Sequence, residues 1–187
     1  VEPSALTQRL AEAAESHGAS FPRTRVERLD FQDRGQIRLV CNDLTVEART
    51  VVLAAGAWSR FLAQQGGENV PLDTERGYHI EFAMDACPIS RPVSPIDLGF
   101  YVTPMEGRLR VAGTVELGGF SAPLNPKRIA LLERGARTLF PRLGPAQDHW
   151  LGFRPSMPDS LPVIGRSRRY QNLILAFGHG HLGMTLA

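Results

Sequence analysis

Two short stretches near the carboxyl end contain the candidate binding and catalytic residues of this sequence. Residues 178–183 read GHGHLG, which fits the spacing of a dinucleotide-binding glycine motif. Such a motif also needs a strand before it, a full helix after it and an acidic residue about 20 positions later, and only the strand is predicted here. The glycines would still let the backbone approach a flat ligand closely, with residues 184–187 as the first turn of a helix whose positive dipole end suits an anion. A plain strand-to-helix turn is the alternative interpretation.

The other stretch, GFRPSMPDSLPVIG at 152–165, places Arg154 at the end of an apolar strand and follows it with three prolines that fix the path of the chain. A guanidinium in such a position needs a carboxylate partner, because bidentate pairing with a planar carboxylate is what its geometry serves best. Asp159, another acidic residue of the protein or a substrate could supply that carboxylate. From composition alone, a structural ion pair is favoured.

Histidine and cysteine offer little further chemistry. His179 and His181 are metal ligands by type, but they stand two residues apart with no third ligand predicted nearby, so we expect no metal site. Cys41 and Cys87 match no metal or disulfide pattern, and we expect free thiols in a reducing cytosol.

The composition excludes several classes of protein. The chain has 187 residues, 43% of them hydrophobic, which allows a buried core and either one substantial domain or two small ones. No apolar run is long enough to span a bilayer. Basic clusters interleaved with aromatic residues are missing from the sequence, so we expect no nucleic-acid partner.

Hydrophobic periodicity predicts the helices and strands on which these residues lie. An amphipathic helix is predicted at 3–18, with Ser4 as its N-cap, and we expect it to pack onto a sheet. Alternating segments at 24–32, 36–41 and 44–48 predict an antiparallel meander, with a turn at 33–35. TVVLAAG at 50–56 is typical of a strand buried on both faces, and NLILAF at 172–177 is its obvious partner.

The middle of the chain is rich in longer strands. They are predicted at 75–84, 98–105, 108–116 and 149–155. Helices are predicted at about 57–65 and 126–140, the second bounded by Pro126 and Pro141.

The fold class predicted is α+β. We expect a mixed or antiparallel sheet that forms a substrate domain at 71–150, flanked by parts of an FAD-binding, Rossmann-like layer at 1–70 and 151–187. The assignment of the flanking layer to FAD rests on a resemblance carried by five segments, which are VVLAAGAWS (51–59), RGYHIEF (76–82), LGFYVTPMEGRLRVAGTVE (98–116), GFRPSMPDSLPVIG (152–165) and NLILAFGHGHLGMTLA (172–187). In combination they resemble the family of FAD-dependent D-amino acid oxidases and dehydrogenases, most of all the bacterial D-amino acid dehydrogenases.

The resemblance implies roles for named residues. Arg154 would hold the α-carboxylate of an amino acid substrate. Tyr78 and Tyr101 would line the substrate pocket, although His79 points to the opposite strand face from Tyr78, so at most one of that pair lines it unless a bulge intervenes. The cofactor FAD would be contacted by a larger set, comprising Val26, Ala55, Gly56, Trp58, Gly178, His179, Gly180, His181, Leu182, Gly183, Met184 and Thr185.

The resemblance also implies an activity. It is the oxidative deamination of D-amino acids to 2-oxo acids and ammonia, by hydride transfer from the substrate Cα to flavin N5. Glycine or sarcosine oxidation on the same fold and a flavin-free carboxylate-binding module are the alternatives. In this family the phosphate-binding glycine motif precedes every segment seen here. We therefore expect a fragment that alone binds FAD weakly or not at all and is inactive. We expect a cytoplasmic location, with a peripheral position at the inner membrane and a membrane quinone as acceptor as the alternative to oxygen.

Overall fold

The computed structural model describes residues 2–32 and 35–186. The chain divides into two compact units, Val1–Arg49 and Thr50–Ala187. The described residues of the first unit form one helix and three strands, which are α1 (Pro3–Ser16), β1 (Val26–Phe31), β2 (Ile37–Cys41) and β3 (Thr45–Ala48). The strands pair in the order β1-β2-β3, all antiparallel, which confirms the predicted meander. In the turn predicted at 33–35, Asp33 and Arg34 lie outside the described residues.

Helix α1 differs from the prediction in two respects. It begins at Pro3 with Glu2 as the N-cap, so Ser4 lies inside the first turn and does not cap the helix. No residue of the helix is buried, and Leu6 and Leu10 remain 38% and 62% exposed, so the expected packing onto a sheet is wrong within this unit. Pro3 starts the helix because proline has no N–H to satisfy and its fixed φ suits the first helical position.

The second unit contains a large and a small sheet with three helices. Its strands are β4 (Val51–Leu53), β5 (Asp73–Ala83), β6 (Phe100–Met105), β7 (Arg108–Leu117), β8 (Asp148–Ser156), β9 (Val163–Arg166) and β10 (Leu173–Phe177). Its helices are α2 (Ser59–Gln65), α3 (Pro126–Leu139) and α4 (Gly183–Leu186). None of the helices in the described part of the chain is both long and apolar enough to cross a membrane.

The large sheet has the strand order β6-β7-β5-β8 and is antiparallel throughout. One face packs against α3, where Leu132 and Ala136 meet a core that includes Phe82 and Phe100. Residues of β5 alternate between that core and the opposite face, as the period of two requires. Strand β8 pairs with β5 from Asp148 to Ser156, so the sheet continues past residue 150.

The small sheet has the order β4-β10-β9. Strand β10 runs parallel to β4, with Leu173 beside Val51, and this confirms the predicted partner for the buried apolar strand. Strand β9 is antiparallel to β10 and was not predicted. Because parallel strands end at the same edge, the turns that follow β4 and β10 both leave the sheet at its carboxyl edge.

Candidate functional site

A cleft of about 560 Å³ lies on the face of the large sheet that α3 does not cover. Its walls include Arg154 of β8 and His181 of the glycine turn that follows β10. The alternation in β5 builds its floor, because Tyr78 and Ile80 face the core while Gly77 and His79 face the other way. The cleft therefore brings together the two stretches that the sequence singles out.

Arg154 is held by a cross-strand pair with Glu75. The two residues are direct partners in the β5–β8 ladder, and Nη1 of Arg154 donates to Oε2 of Glu75 at 3.1 Å. The other terminal nitrogen, Nη2, extends over Gly77, at 3.4 Å from the position that a Cβ there would occupy. Asp159 accepts from the Leu161 backbone N–H and so is not the carboxylate partner. The guanidinium of Arg154 therefore lies within van der Waals distance of the floor of the cleft at Gly77.

An aromatic pair forms part of the cleft wall. The His79 and Trp150 rings stack with centroids 5.0 Å apart and an interplanar angle of 23°. The indole occupies the space above Gly152, where a Cβ would come within 1.8 Å of its Cη2 atom. Register explains the pair, because His79 and Trp150 are direct partners across β5 and β8.

The His79 imidazole is neutral at neutral pH. Burial, followed by the positive charges of Arg110 and Arg108, lowers its pKa to about 4, against the opposing influence of Glu81 and Asp148. Arg110 Nη2 lies 3.1 Å from His79 Nδ1, and the imidazole nitrogen is the acceptor because arginine can only donate. The permanent positive charges in the cleft wall are therefore those of Arg110 and Arg154.

The two tyrosines nominated from the sequence differ in placement. Tyr101 of β6 lines the cleft with 63% of its surface exposed. Tyr78 borders the cleft too, but it is only 2% exposed and packs in the core. Its hydroxyl donates to Glu116 and accepts from the Asn125 N–H, and burial together with Glu116 raises its pKa. The Tyr78 hydroxyl therefore has both of its hydrogen-bond partners inside the protein. Of the neighbours Tyr78 and His79, it is His79 whose side chain lies on the open face.

A β-bulge interrupts the floor beside Gly77. The β5–β7 register shifts between Gly77 and Tyr78, leaving Thr114 without a partner in the ladder. Thr114 has φ of 62°, a conformation that a β-branched residue rarely adopts, and its buried Oγ1 has no hydrogen-bond partner. The bulge borders the cleft, where strained backbone is typical of functional surfaces.

The remaining nominated residues of the second unit lie at the carboxyl edge of β4 and β10. Ala55, Gly56 and Trp58 form the turn after β4, and the nominated segment from Gly178 to Thr185 follows β10. Gly56 and Gly180 have φ of 57° and 56°, and each has open space where a Cβ would stand. Both turns contact β8. Two glycine turns with open space at one sheet edge fit the ring system of a flavin, whose approach a side chain would obstruct.

Trp58 also belongs to an aromatic cluster on the far side of β8. Its ring stacks on Phe120 at a centroid distance of 5.3 Å and meets Phe153 edge-on at 5.7 Å. The indole is nonetheless 45% exposed, which leaves part of it available to a ligand.

One nominated residue belongs to the first unit, and two are histidines of the glycine turn. Val26 is the first residue of β1 in the other unit, and its proposed contact with FAD remains a prediction. His179 and His181 lie in the glycine turn as expected, and the described residues contain no group of three or more metal-ligating side chains.

Sequence reasoning missed several residues of the cleft. Arg110, Thr103 and Trp150 all line it, yet each occupies a strand position that alternation alone assigns to a solvated face. Strand register, set by pairing across the sheet, brings them together. The one signal available was the polar alternation of residues 108–116, which marks Arg110 as facing away from the core.

Comparison with known proteins places this geometry in a family. The model of the DAO family, described as FAD dependent oxidoreductase, matches residues 1–187. A protein named D-amino-acid oxidase from Bradyrhizobium diazoefficiens is 37% identical over 98% of this chain. Glycine oxidase from Geobacillus kaustophilus matches 94% of the chain with 26% identity and a TM-score of 0.84. L-proline dehydrogenase from P. horikoshii matches 97% of it with 20% identity and a TM-score of 0.85, which shows a shared fold.

The chain spans about half the length of these relatives. It covers 45% of the Bradyrhizobium protein, 48% of the Geobacillus chain and 51% of the P. horikoshii chain. The match to the family model and the identity to the Bradyrhizobium relative extend over nearly every residue, including the cleft and both glycine turns. The chain belongs to the DAO family of FAD-dependent oxidoreductases.

Proposed function

We propose that this chain supplies the substrate cleft and the flavin edge of an enzyme that oxidatively deaminates D-amino acids to 2-oxo acids and ammonia. The observation that carries the proposal is that Arg154 and His181 of the glycine turn line one cleft. The relative named D-amino-acid oxidase supports the choice of substrate. Bound FAD supplies the acceptor for the hydride that leaves the substrate Cα.

Arg154 is the residue proposed to bind the substrate α-carboxylate. Glu75 holds one terminal nitrogen at 3.1 Å and thereby orients the guanidinium, while the Nη2 group over Gly77 faces the cleft. Orienting the cation in advance reduces the entropy lost when a carboxylate binds. Tyr101, with its exposed ring, and the His79–Trp150 pair are proposed to contact the rest of the substrate.

No side chain is proposed as a general base. Neutral His79 hydrogen bonds to Arg110, and the Tyr78 hydroxyl is committed to Glu116. An amino acid bound with its amine neutral needs no base to lose hydride, so the residues of the cleft act by binding and orienting the substrate.

The cleft of about 560 Å³ would hold the edge of the flavin ring as well as the substrate, so the alternative of a glycine oxidase is tested by reaction rates and not by cleft volume. Rates with D-alanine and glycine, compared at equal concentration, distinguish the two substrates.

Replacement of Arg154 tests the function directly. A charge-assisted hydrogen bond contributes about 1.5–3 kcal/mol, so Arg154→Gln is expected to raise the KM for D-alanine about 10- to 100-fold in the FAD-loaded enzyme that contains this chain. Arg168→Gln is the matched control, because Arg168 is exposed and does not line the cleft. An unchanged KM in Arg154→Gln would remove the basis of the proposal.

We further propose that the chain by itself binds FAD weakly and has no activity alone. The nominated residues of the second unit meet a ligand through two short turns and Trp58, which can contact a flavin ring but give little hold on a pyrophosphate. Titration of the purified chain with FAD, followed by gel filtration, is expected to leave little visible flavin absorbance with the protein. A yellow protein that keeps its flavin through the column contradicts this expectation.

A further inference from the structure

The charges lining the cleft are unbalanced. Its wall contains two guanidinium groups, from Arg110 and Arg154, and no carboxylate from any described residue. Arg154 has Glu75 beside it as a counter-charge at 3.1 Å. Binding one α-carboxylate requires one of these cations, so the second calls for an explanation.

Arg110 has no counter-ion of its own within the described part of the chain. Its hydrogen-bond partner is the neutral imidazole of His79, at 3.1 Å. Its cross-strand neighbour Glu81 instead pairs with Arg108, at 3.0 Å. A partly buried arginine whose partner is uncharged is an electrostatic match for an anion entering the cleft.

The two cations are spaced along one strand face. Nη2 of Arg154 lies over Gly77, and Nη2 of Arg110 lies beside His79. Gly77 and His79 are two residues apart on the same face of β5, a separation of about 7 Å. Aspartate and glutamate each carry two carboxylates, one for each of the two guanidinium groups that line the cleft. Thr103, the cross-strand neighbour of Arg110 on β6, adds a hydroxyl to that end of the cleft.

We propose that the preferred substrate is an amino acid with an acidic side chain, whose α-carboxylate binds Arg154 and whose side-chain carboxylate binds Arg110. This inference rests on the proposed function, because it assumes that Arg154 receives the α-carboxylate. Arg110 is then a specificity-determining residue, because it binds the side-chain carboxylate of the substrate.

The test compares two ligands that differ by one charge. D-aspartate and D-asparagine are nearly equal in shape, so the ratio of their dissociation constants isolates the contribution of the carboxylate. The ratio is measured by calorimetry on the FAD-loaded enzyme that contains this chain, kept reduced and anaerobic so that the amino acids bind without being oxidised. We expect D-aspartate to bind at least about tenfold more tightly than D-asparagine.

Variants of Arg110 and of an arginine outside the cleft locate the effect. Arg110→Gln is expected to bring the ratio close to one, and Arg110→Lys, which keeps the charge, to retain part of the preference. Arg168→Gln is the matched control and is expected to keep the wild-type ratio, because Arg168 is exposed and does not line the cleft.

Failure of this inference is distinguishable from failure of the proposed function. Suppose that D-alanine binds and that its binding depends on Arg154. The acidic-substrate inference alone is then overturned if D-aspartate binds no more tightly than D-asparagine, or if it still binds more tightly in Arg110→Gln. If none of the three amino acids binds the wild-type protein, both are overturned. The wild-type ratio decides the matter even where a variant fails to fold.

Discussion

At the scale of single residues, the cleft depends on side chains whose charge is set by their neighbours. His79 shows this most directly, because its side chain is only 15% exposed and it lies between a tryptophan ring and an arginine. The low pKa keeps the imidazole uncharged, which lets it accept the Arg110 hydrogen bond and stack on Trp150. Protonation would place a second positive charge against the Arg110 guanidinium.

The lowered pKa of His79 makes stability depend on pH. The pKa is about 4 in the folded protein against 6.5 in the unfolded chain, so between these values the unfolded state binds more protons. The free energy of unfolding should therefore fall as pH drops from 6.5 towards 4, with no further loss from this group below that range. At pH 5 the contribution lost is at most about 2 kcal/mol.

Urea unfolding at pH 7 and pH 5 measures this dependence. His79→Gln, which cannot be protonated, should lose less stability between the two pH values than the wild type. Carboxylates titrate equally in both proteins and cancel in the comparison. Equal losses would show that His79 is not held neutral in the fold.

At the scale of elements, α3 shows how one missing side chain lets a helix approach a sheet. Gly135 lies in the interior of this helix, where glycine is unfavourable by about 1 kcal/mol relative to alanine. A Cβ at that position would come within 2.3 Å of Cε1 of Phe100, whose side chain is buried in β6. The glycine therefore serves the contact between helix and sheet at the expense of helix propensity.

Gly135→Ala sets these two effects against each other. The gain in propensity is about 1 kcal/mol, but forcing a methyl group into a packed core costs about 1–3 kcal/mol. Phe100 is only 2% exposed and has little room to move, so we expect a net loss of about 1 kcal/mol in urea unfolding. Gly144→Ala is the control, since nothing lies within 4 Å of a Cβ there and stability should change little. A stabilised Gly135→Ala protein would mean that the Phe100 ring yields easily.

At the scale of the whole molecule, periodicity predicted most elements but not the contacts that depend on register. The strands of the large sheet, α3 between its two prolines and the pairing of β4 with β10 all follow from local patterns. Strand β9 was missed because its four residues contain Gly165 and follow Pro162, so they look like a turn. Its pairing with β10 overrides that local preference.

In the site, too, local patterns predicted some residues and strand register determined the others. Arg154 and the glycine turn could be nominated from residue type and resemblance, and the structure places both at one cleft. The partner of Arg154 could not be predicted, because Glu75 reaches it through the β5–β8 register from a distant part of the sequence. Arg110, His79 and Trp150 meet for the same reason.

The parallel pairing of β4 with β10 has a consequence for biosynthesis. Val51 emerges from the ribosome long before Leu173, its ladder partner, and the large sheet is made in the interval between them. The apolar strand at 51–53 therefore lacks its native neighbour β10 until residues 173–175 have been translated. Such a delay leaves an unsatisfied hydrogen-bonding edge on the nascent polypeptide, which is the kind of surface that chaperones shield.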